Sequence, residues 1–247
     1  VLVFGDAQKA YHEILVQVMQ DRPEYEFSST DRYEHRLWLV SKDLSSALEK
    51  ALAEVDQVYI ADGHHRLASS VRVGDRLPDE PLAQGVLTMF MDESQVSIGS
   101  FERWFRMENQ QLDLALIEKS FEIKALTQWT DRPQGDVEMY FEGQWYVLKS
   151  KQDDVIELKS QLLVDQILKP ALGLVDERND ARLKYVRQDG SDQSKRMVER
   201  GFQIGFRLPS VSVALLKNIG GSGGVMPPKS TYIEPKLRSG LLLHVFK

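Results

Sequence analysis

The sequence predicts a mixed α/β to α+β fold, in which a parallel strand–helix–strand unit precedes a largely antiparallel α+β half. Over residues 1–75, short apolar runs typical of strands alternate with segments of helical periodicity. A strand, a helix and a second strand predicted over residues 35–61 imply a parallel pair, because parallel strands need a crossover. Farther along, "VEMYFEGQWYVL" (137–148) predicts a hairpin that turns at Glu142-Gly143.

The first part of the chain divides into clear elements. "VLVFG" predicts a strand that ends at Gly5, and a strand at the very start leads us to expect further sequence before it. The pattern then predicts a helix over 10–20, strands over 24–29 and 35–40, a helix over 44–54, a strand over 55–61 and a helix over 64–73 that stops at Gly74. The helix over 44–54 has one apolar face, and Ser41 or Asp43 can cap it.

The second part of the chain is richer in hairpin and loop signals. We expect adjacent strands over 85–91 and 96–105, a helix over 114–123, the hairpin, and a helix over 160–173 that is interrupted at Pro170. We place a domain boundary at residue 107. Residues 1–107 form the α/β part and residues 108–247 the α+β part, and a single domain is the alternative.

Composition narrows the function classes. The 247 residues contain 42% hydrophobic and 28% charged residues, as ordinary globular proteins do. There is no cysteine, which excludes disulfides and thiol chemistry. The net charge of -6 argues against nucleic-acid binding, and no apolar run is long enough to span a bilayer. We therefore expect a cytoplasmic protein that binds small molecules and not nucleic acid or membrane.

The segment "YIADGHHRLA" (59–68) is the principal candidate site, because it predicts a strand that turns into a helix through a polar cluster. Asp62 is expected to cap the helix, and Gly63 to permit close approach of a ligand. The first N–H groups of the helix, together with Arg66, favour a phosphate. His64 and His65 lie about 100° apart around the helix, so only one of them can face a given ligand. The alternative is a capped helix whose histidines are structural.

Other segments are weaker candidates. "GGSGGVMPPKST" does not match a P-loop, since Pro228 stands where a glycine should precede the lysine. Lys229, Ser230 and Thr231 could still reach a phosphate from a second wall of the pocket. The acidic residues of "LVDERNDARLKY" (174–185) could hold Mg²⁺, and a salt-bridged loop is the favoured account. Neighbouring histidines are poor joint ligands, so no protein-built metal site is predicted.

Three segments resemble the bacterial and archaeal "domain of unknown function" family 1015. They are "YIADGHHRLASS", "LGLVDERNDARLKY" and "VMPPKSTYIEPKLRSGLL", and the resemblance runs over nearly all of the chain. Members of this family are typically longer at the N-terminus and carry a His-Glu-containing stretch there. The D-G-H-H-R element looks like the phosphate-gripping element of the ParB and sulfiredoxin superfamily, which includes nucleotide-dependent free-serine kinases.

The resemblance implies that Asp62 to Arg66 hold the phosphates of ATP or ADP with Mg²⁺. It implies a phosphotransferase that acts on a small, serine-like hydroxylated metabolite. The alternatives are a nucleotide-sensing, ParB-like regulatory module and a phosphohydrolase. Asp62, His64 and His65 are the catalytic candidates. The phosphate-binding candidates are Gly63, His64, His65, Arg66, Lys229, Ser230 and Thr231.

Overall fold

The computed structural model of the chain describes residues 1–30, 33–107, 112–151, 158–224, 226–227, 229–236, 238 and 240–245. The chain forms two compact units. Unit 1 comprises Val1–Val96 and Pro235–Lys247, and unit 2 comprises Ser97–Glu234. The predicted mixed fold class is confirmed, with a small sheet that contains a parallel pair followed by a large antiparallel sheet. The domain boundary at residue 107 stays a prediction. Among the described residues, no helix has both the length and the apolar character needed to cross a membrane.

Unit 1 contains the predicted alternation of strands and helices. Its main sheet has the strand order β4-β1-β5, and β2 and β3 form a separate hairpin. The strands are β1 (Leu2–Gly5), β2 (Tyr25–Ser28), β3 (Glu34–Leu37), β4 (Tyr59–Asp62) and β5 (Met89–Asp92), and the helices are α1 (Lys9–Val18), α2 (Lys42–Ala53) and α3 (His64–Arg76).

The parallel pair is not the one that the sequence predicted. It joins β1 to β5, whereas β3 pairs with β2, and β4 runs antiparallel to β1 with Asp62 opposite Leu2. The reason lies in the side chains of β3. Its "EHRL" sequence leaves every residue exposed or half-buried, and a strand inside a parallel sheet needs apolar residues on both faces. The expectation of a parallel pair across α2 was therefore wrong.

The core of unit 1 forms around β1. Leu2 and Phe4 are buried, and the Phe4 ring stacks on Tyr59 with 5.5 Å between ring centroids. Ser41 caps α2 as predicted, through a hydrogen bond from the Leu44 N–H. Gly74, in contrast, does not end α3. It is buried within the helix, where the carbonyl of Ala83 would lie only 3.2 Å from an added Cβ, so this glycine permits close packing.

Unit 2 is built on an antiparallel sheet. Its strand order is β10-β6-β11-β8-β9-β7, with β12 paired to the first part of β6. The strands are β6 (Ser97–Phe105), β7 (Phe121–Ala125), β8 (Val137–Phe141), β9 (Gln144–Ser150), β10 (Leu183–Arg187), β11 (Ile204–Arg207) and β12 (Thr231–Glu234). The helices are α4 (Leu114–Ser120), α5 (Lys159–Leu163), α6 (Lys169–Leu172), α7 (Ser194–Glu199) and α8 (Val213–Gly221).

Two local predictions in unit 2 met different outcomes. The hairpin is confirmed: β8 and β9 join at Glu142 and Gly143, whose φ values of 48° and 85° fit a tight turn with positive φ at both central residues. The predicted adjacency of the strands over 85–91 and 96–105 was wrong. β5 pairs with β1 in unit 1, and β6 pairs with β10, β11 and β12 in unit 2. The short turn at Glu93–Gln95 carries the chain from one sheet to the other.

The helical segment before Pro170 changes its winding instead of breaking. A π-helical segment, Val164–Leu168, connects α5 to α6. A proline ring clashes with the carbonyl four residues earlier in a regular helix, and a wider turn relieves that clash. The buried side chains of this segment, among them Leu163 and Ile167, belong to the core that covers one face of the sheet.

The other face of the unit 2 sheet carries buried charges. The side chains of Glu102, Glu138 and Arg207 are each at most 5% exposed. Arg207 Nη1 donates to Glu138 Oε2 at 2.8 Å, and Arg207 Nε lies 3.8 Å from Glu102 Oε1. Burial raises the pKa of Glu102 to about 7, against the opposing effects of a hydrogen bond from the Trp104 indole and of the Arg207 charge.

The titration of Glu102 makes stability depend on pH. The pKa of Glu102 is about 7 in the folded protein and 4.5 ordinarily. Between these two pH values, Glu102 is protonated in the folded protein and ionised in the unfolded chain. Its contribution is fully present below pH 4.5 and is lost as the pH rises through 7. We expect the free energy of unfolding of the wild type to fall relative to Glu102→Gln by roughly 2–3 kcal/mol across this range. Urea unfolding at several pH values measures it.

Glu122→Gln is the matched control, because Glu122 is an exposed glutamate paired with Lys124 on the surface. Its unfolding curves should follow those of the wild type at every pH. If the wild type and Glu102→Gln stay the same distance apart from acid to neutral pH, Glu102 does not titrate in this range.

Candidate functional site

The candidate site of unit 1 is the turn from β4 into α3. Gly63 is the N-cap of the helix, with φ 101° and ψ 27°, a left-handed conformation that glycine adopts without strain. No side chain caps this helix, so the predicted capping role of Asp62 was wrong. Asp62 is the last residue of β4, one position before the cap, and its carboxylate is held by Arg66 instead.

The guanidinium of Arg66 lies over this turn. Its Nη2 donates to Asp62 Oδ2 at 3.3 Å, and a Cβ added to Gly63 would come within 3.0–3.2 Å of the guanidinium atoms. Gly63 therefore does allow a close approach, and the group that approaches is Arg66. Both partners of the ion pair are about half exposed, with side-chain exposures of 52% for Arg66 and 48% for Asp62.

The two histidines follow directly. His64 and His65 are both exposed, at the first two positions of α3. The first turn of the helix contains no acidic residue, and its amide groups lie at the positive end of the helix dipole. The turn thus collects exposed hydrogen-bond donors and one permanent positive charge.

The motif lies at the edge of the small sheet opposite to the carboxyl ends of its parallel strands. In parallel sheets, ligands bind beyond the carboxyl ends of the strands. The carboxyl ends of β1 and β5 are at Gly5 and Asp92, whereas β4 runs the other way and ends opposite Leu2. The candidate site therefore depends on the helix N-terminus and not on the parallel-sheet rule.

Asp92 is a buried carboxylate at the carboxyl edge, and its hydrogen bonds are internal. It accepts from the N–H of Ala7 at 2.9 Å and from both donors of Ser94, and His12 Nε2 lies 3.6 Å away. Burial alone would raise the pKa of Asp92, and these hydrogen bonds and His12 hold it below its ordinary value. Asp92 fixes the loops around it.

The other predicted phosphate ligands lie in unit 2. Lys229 has φ 50°, and its ammonium lies 4.9 Å from the centroid of the Tyr185 ring. Ser230 is buried and hydrogen-bonds to Ser160 Oγ at 3.0 Å and to the Pro227 carbonyl at 2.8 Å. Thr231 begins β12. Their role as a second wall of a phosphate pocket stays a prediction.

The acidic loop over 174–185 is held by salt bridges, which is the account that the sequence favoured over a Mg²⁺ site. Asp180 binds Arg182 with 2.6 Å between Oδ2 and Nη2, and Glu177 binds Arg103 at 3.2 Å. Asp176 accepts from the N–H of Arg178 at 2.9 Å. Over the described ranges, no group of three or more histidine or acidic side chains could hold a metal ion.

Sequence reasoning missed that both charged residues of "SFERWF" are buried. Glu102 and Arg103 point to opposite faces of β6, and both are 0% exposed. The available signal was that two charges stand between aromatic residues in a strand that is apolar on both sides. Such a strand is covered on both faces, so its charges need buried partners.

The fold and the turn at Gly63 define a mixed α/β protein with a candidate anion site at a helix N-terminus. The chain belongs to the DUF1015 family, described as "protein of unknown function", whose model matches residues 1–174. None of the curated proteins matches the chain.

Solved structures give distant similarities. A free serine kinase in complex with AMP is 14% identical, with 94% of this chain and 83% of that chain covered and a TM-score of 0.45. SbnI with a C-terminal truncation, from Staphylococcus aureus, is 12% identical, with 98% and 82% covered and a TM-score of 0.47. A conserved hypothetical protein from Pyrococcus furiosus is 13% identical, with 94% and 85% covered and a TM-score of 0.40.

Gly63→Ala tests the geometry of the turn. A side chain here is strained at φ 101° and displaces Arg66, whereas Gly135→Ala is strained at φ 93° with no atom within 4 Å. We expect both variants to lose about 1–2 kcal/mol of stability. Only Gly63→Ala should also change the chemical shift of the Arg66 side-chain Nε–H in an NMR spectrum. An unchanged Arg66 resonance would show that the guanidinium does not lie over Gly63 in solution.

Proposed function

We propose that the turn at Gly63–Arg66 binds the phosphates of ATP or ADP with Mg²⁺, and that the chain is a cytoplasmic phosphotransferase that acts on a small, serine-like hydroxylated metabolite. The observation that carries the proposal is a helix that begins at a left-handed glycine, without a side-chain cap, under the guanidinium of Arg66. Uncapped N–H groups and a permanent positive charge are the donors that phosphate oxygens need.

The ion pair between Asp62 and Arg66 is suited to exchange. An ion pair between half-exposed groups contributes only about 0–1 kcal/mol, because water screens it. A phosphate bound at the N-terminus of α3 offers Arg66 a bidentate partner with more charge. Arg66 can therefore turn from Asp62 to the phosphate at little cost.

The histidines extend the donor set. The ring N–H groups of His64 and His65 can donate to phosphate oxygens, and both side chains are exposed. The two positions lie about 100° apart around the helix. One histidine can therefore face the phosphate bound at the N-terminus, while the other lies to the side of that phosphate. Phosphoryl transfer needs mainly this kind of positioning and charge neutralisation.

Asp62 is the carboxylate of the motif. Once Arg66 binds phosphate, the Asp62 carboxylate is released to accept the proton of the attacking hydroxyl. It fits Mg²⁺ as well, since this ion binds through one or two carboxylates and the phosphates themselves. Bound Mg²⁺ would neutralise phosphate charge. The proposal needs no contribution from Lys229, Ser230 or Thr231.

Arg66→Ala tests the phosphate site. Calorimetric titration of ATP, ADP and CTP with Mg²⁺ into the full chain should show binding in the wild type and at least a tenfold weaker affinity in the variant, because a charge-assisted bidentate contact contributes about 1.5–3 kcal/mol. Arg72→Ala is the matched control, since Arg72 is an exposed arginine six residues farther along the same helix.

Equal affinity in Arg66→Ala and Arg72→Ala would refute the role of Arg66. Product analysis then separates the functions that share such a site. A phosphorylated metabolite identifies a kinase and free phosphate a phosphohydrolase, while binding without turnover identifies a nucleotide-sensing module.

Asp62→Asn tests the chemical step. The amide keeps the shape of Asp62 but cannot accept the hydroxyl proton, so we expect turnover to fall by about 10²–10⁴-fold. Nucleotide affinity without Mg²⁺ should stay within a few-fold of the wild type, because the contact between Arg66 and the phosphate is kept, and calorimetry measures it on the same samples. Turnover at the wild-type rate would exclude Asp62 as the base.

A further inference from the structure

Arg103, in the middle of β6, is a buried cation whose hydrogen bonding is incomplete. The side chain is 0% exposed, and its Nε donates to Glu177 Oε1 at 3.2 Å. Within the described part of the chain, Nη1 and Nη2 have no hydrogen-bond partner. A buried charged donor without an acceptor lowers the stability of the folded protein. A molecule that accepts a hydrogen bond from both amino groups would remove this penalty, so the pair favours the binding of such a molecule.

Tyr185 and Glu177 hold the guanidinium in place. Tyr185 stands directly opposite Arg103 on β10, and the Arg103 carbon Cζ lies 5.4 Å from the centroid of its ring. The Tyr185 hydroxyl donates to Glu177 Oε1 at 2.7 Å. Burial and this hydrogen bond raise the pKa of Tyr185, so its hydroxyl stays a donor. The fixed carboxylate of Glu177 binds Nε, and among the described residues Nη1 and Nη2 have no hydrogen-bond partner left to them.

A second cation lies against the same ring. The Lys229 ammonium is 4.9 Å from the centroid of Tyr185, and its residue holds a positive φ of 50°, which costs strain in a residue other than glycine. No described carboxylate forms an ion pair with Lys229. The cluster therefore has two positive charges, from Arg103 and Lys229, and one negative charge, from Glu177, which leaves a net charge that a single anion balances.

One residue of this cluster, Glu177, also lines an open cavity of unit 2. Glu177 and Pro227 contribute to the lining of this cavity, which has a volume of about 300 Å³, and Lys229 follows two residues after Pro227 on an exposed part of the same segment. We propose that Arg103 and Lys229 bind a small monocarboxylate beside the ring of Tyr185. A planar carboxylate can accept from both amino groups of a guanidinium. The charge of Glu177 disfavours a dianionic phosphate.

Thermal unfolding of the full chain in sodium glycolate, compared with sodium chloride at the same ionic strength, tests the site. A ligand that binds only the folded state stabilises it, so we expect glycolate to raise Tm by about 2–5 °C at saturation. Lys229→Met should lose at least half of that rise. Lys195→Met is the matched control, because Lys195 is an exposed lysine of the same unit, and it should keep the rise.

Arg103→Lys adds a variant that keeps the buried positive charge but removes the planar pair of donors, and it should lose the glycolate response. Three outcomes would overturn the proposal: a shift no larger than that in chloride, an unchanged response in Lys229→Met, or a larger shift with inorganic phosphate than with glycolate. No nucleotide is used, and Arg66→Ala should respond to glycolate as the wild type does. A failure here therefore differs from a failure of the nucleotide proposal.

Discussion

The side chain of Arg207 is buried, so the protein itself must balance the charge of its guanidinium. The carboxylate of Glu138 balances this charge across the β8–β11 pair. The carbonyls of Thr130 and Asp131 each accept a hydrogen bond from Arg207 Nη2 at 2.9 Å, and Arg207 Cζ lies 3.8 Å from the centroid of the Trp129 ring. Leaving a buried charge unpaired costs several kcal/mol. A register shift of one residue between β8 and β11 would separate Arg207 from Glu138, because it moves every side chain of one strand to the other face of the sheet. The charge thus specifies the register of the central strands of unit 2.

Patterns that depend on neighbouring residues could be predicted from the sequence. The hairpin turn at Glu142-Gly143 and the cap at Ser41 follow from the conformations and side chains of those residues alone. Strand neighbours could not be predicted, since the partner of a strand is chosen by burial over the whole unit. The β3 strand has too few apolar residues for the small sheet, and β1 takes β5 as its parallel partner instead.

The residues of the candidate site could be predicted from the sequence, but the direction in which β4 runs in its sheet could not. The residues from Asp62 to Arg66 identify a strand-to-helix turn with many donors, and the left-handed Gly63 agrees with that prediction. The antiparallel course of β4 depends on its pairing with β1, which the segment itself does not contain. The partners of Arg103 could not be predicted either, because Glu177 and Tyr185 lie more than seventy residues away from it along the chain.

The ends of unit 2 meet within one strand pair. Ser97 at the start of β6 lies opposite Glu234 at the end of β12, and the chain then returns to unit 1, where His244 Nε2 lies 2.8 Å from the carbonyl of Leu82. On the ribosome, the returning segment is made only after every residue of unit 2. Unit 1 therefore acquires its last contacts only after translation of that segment is over.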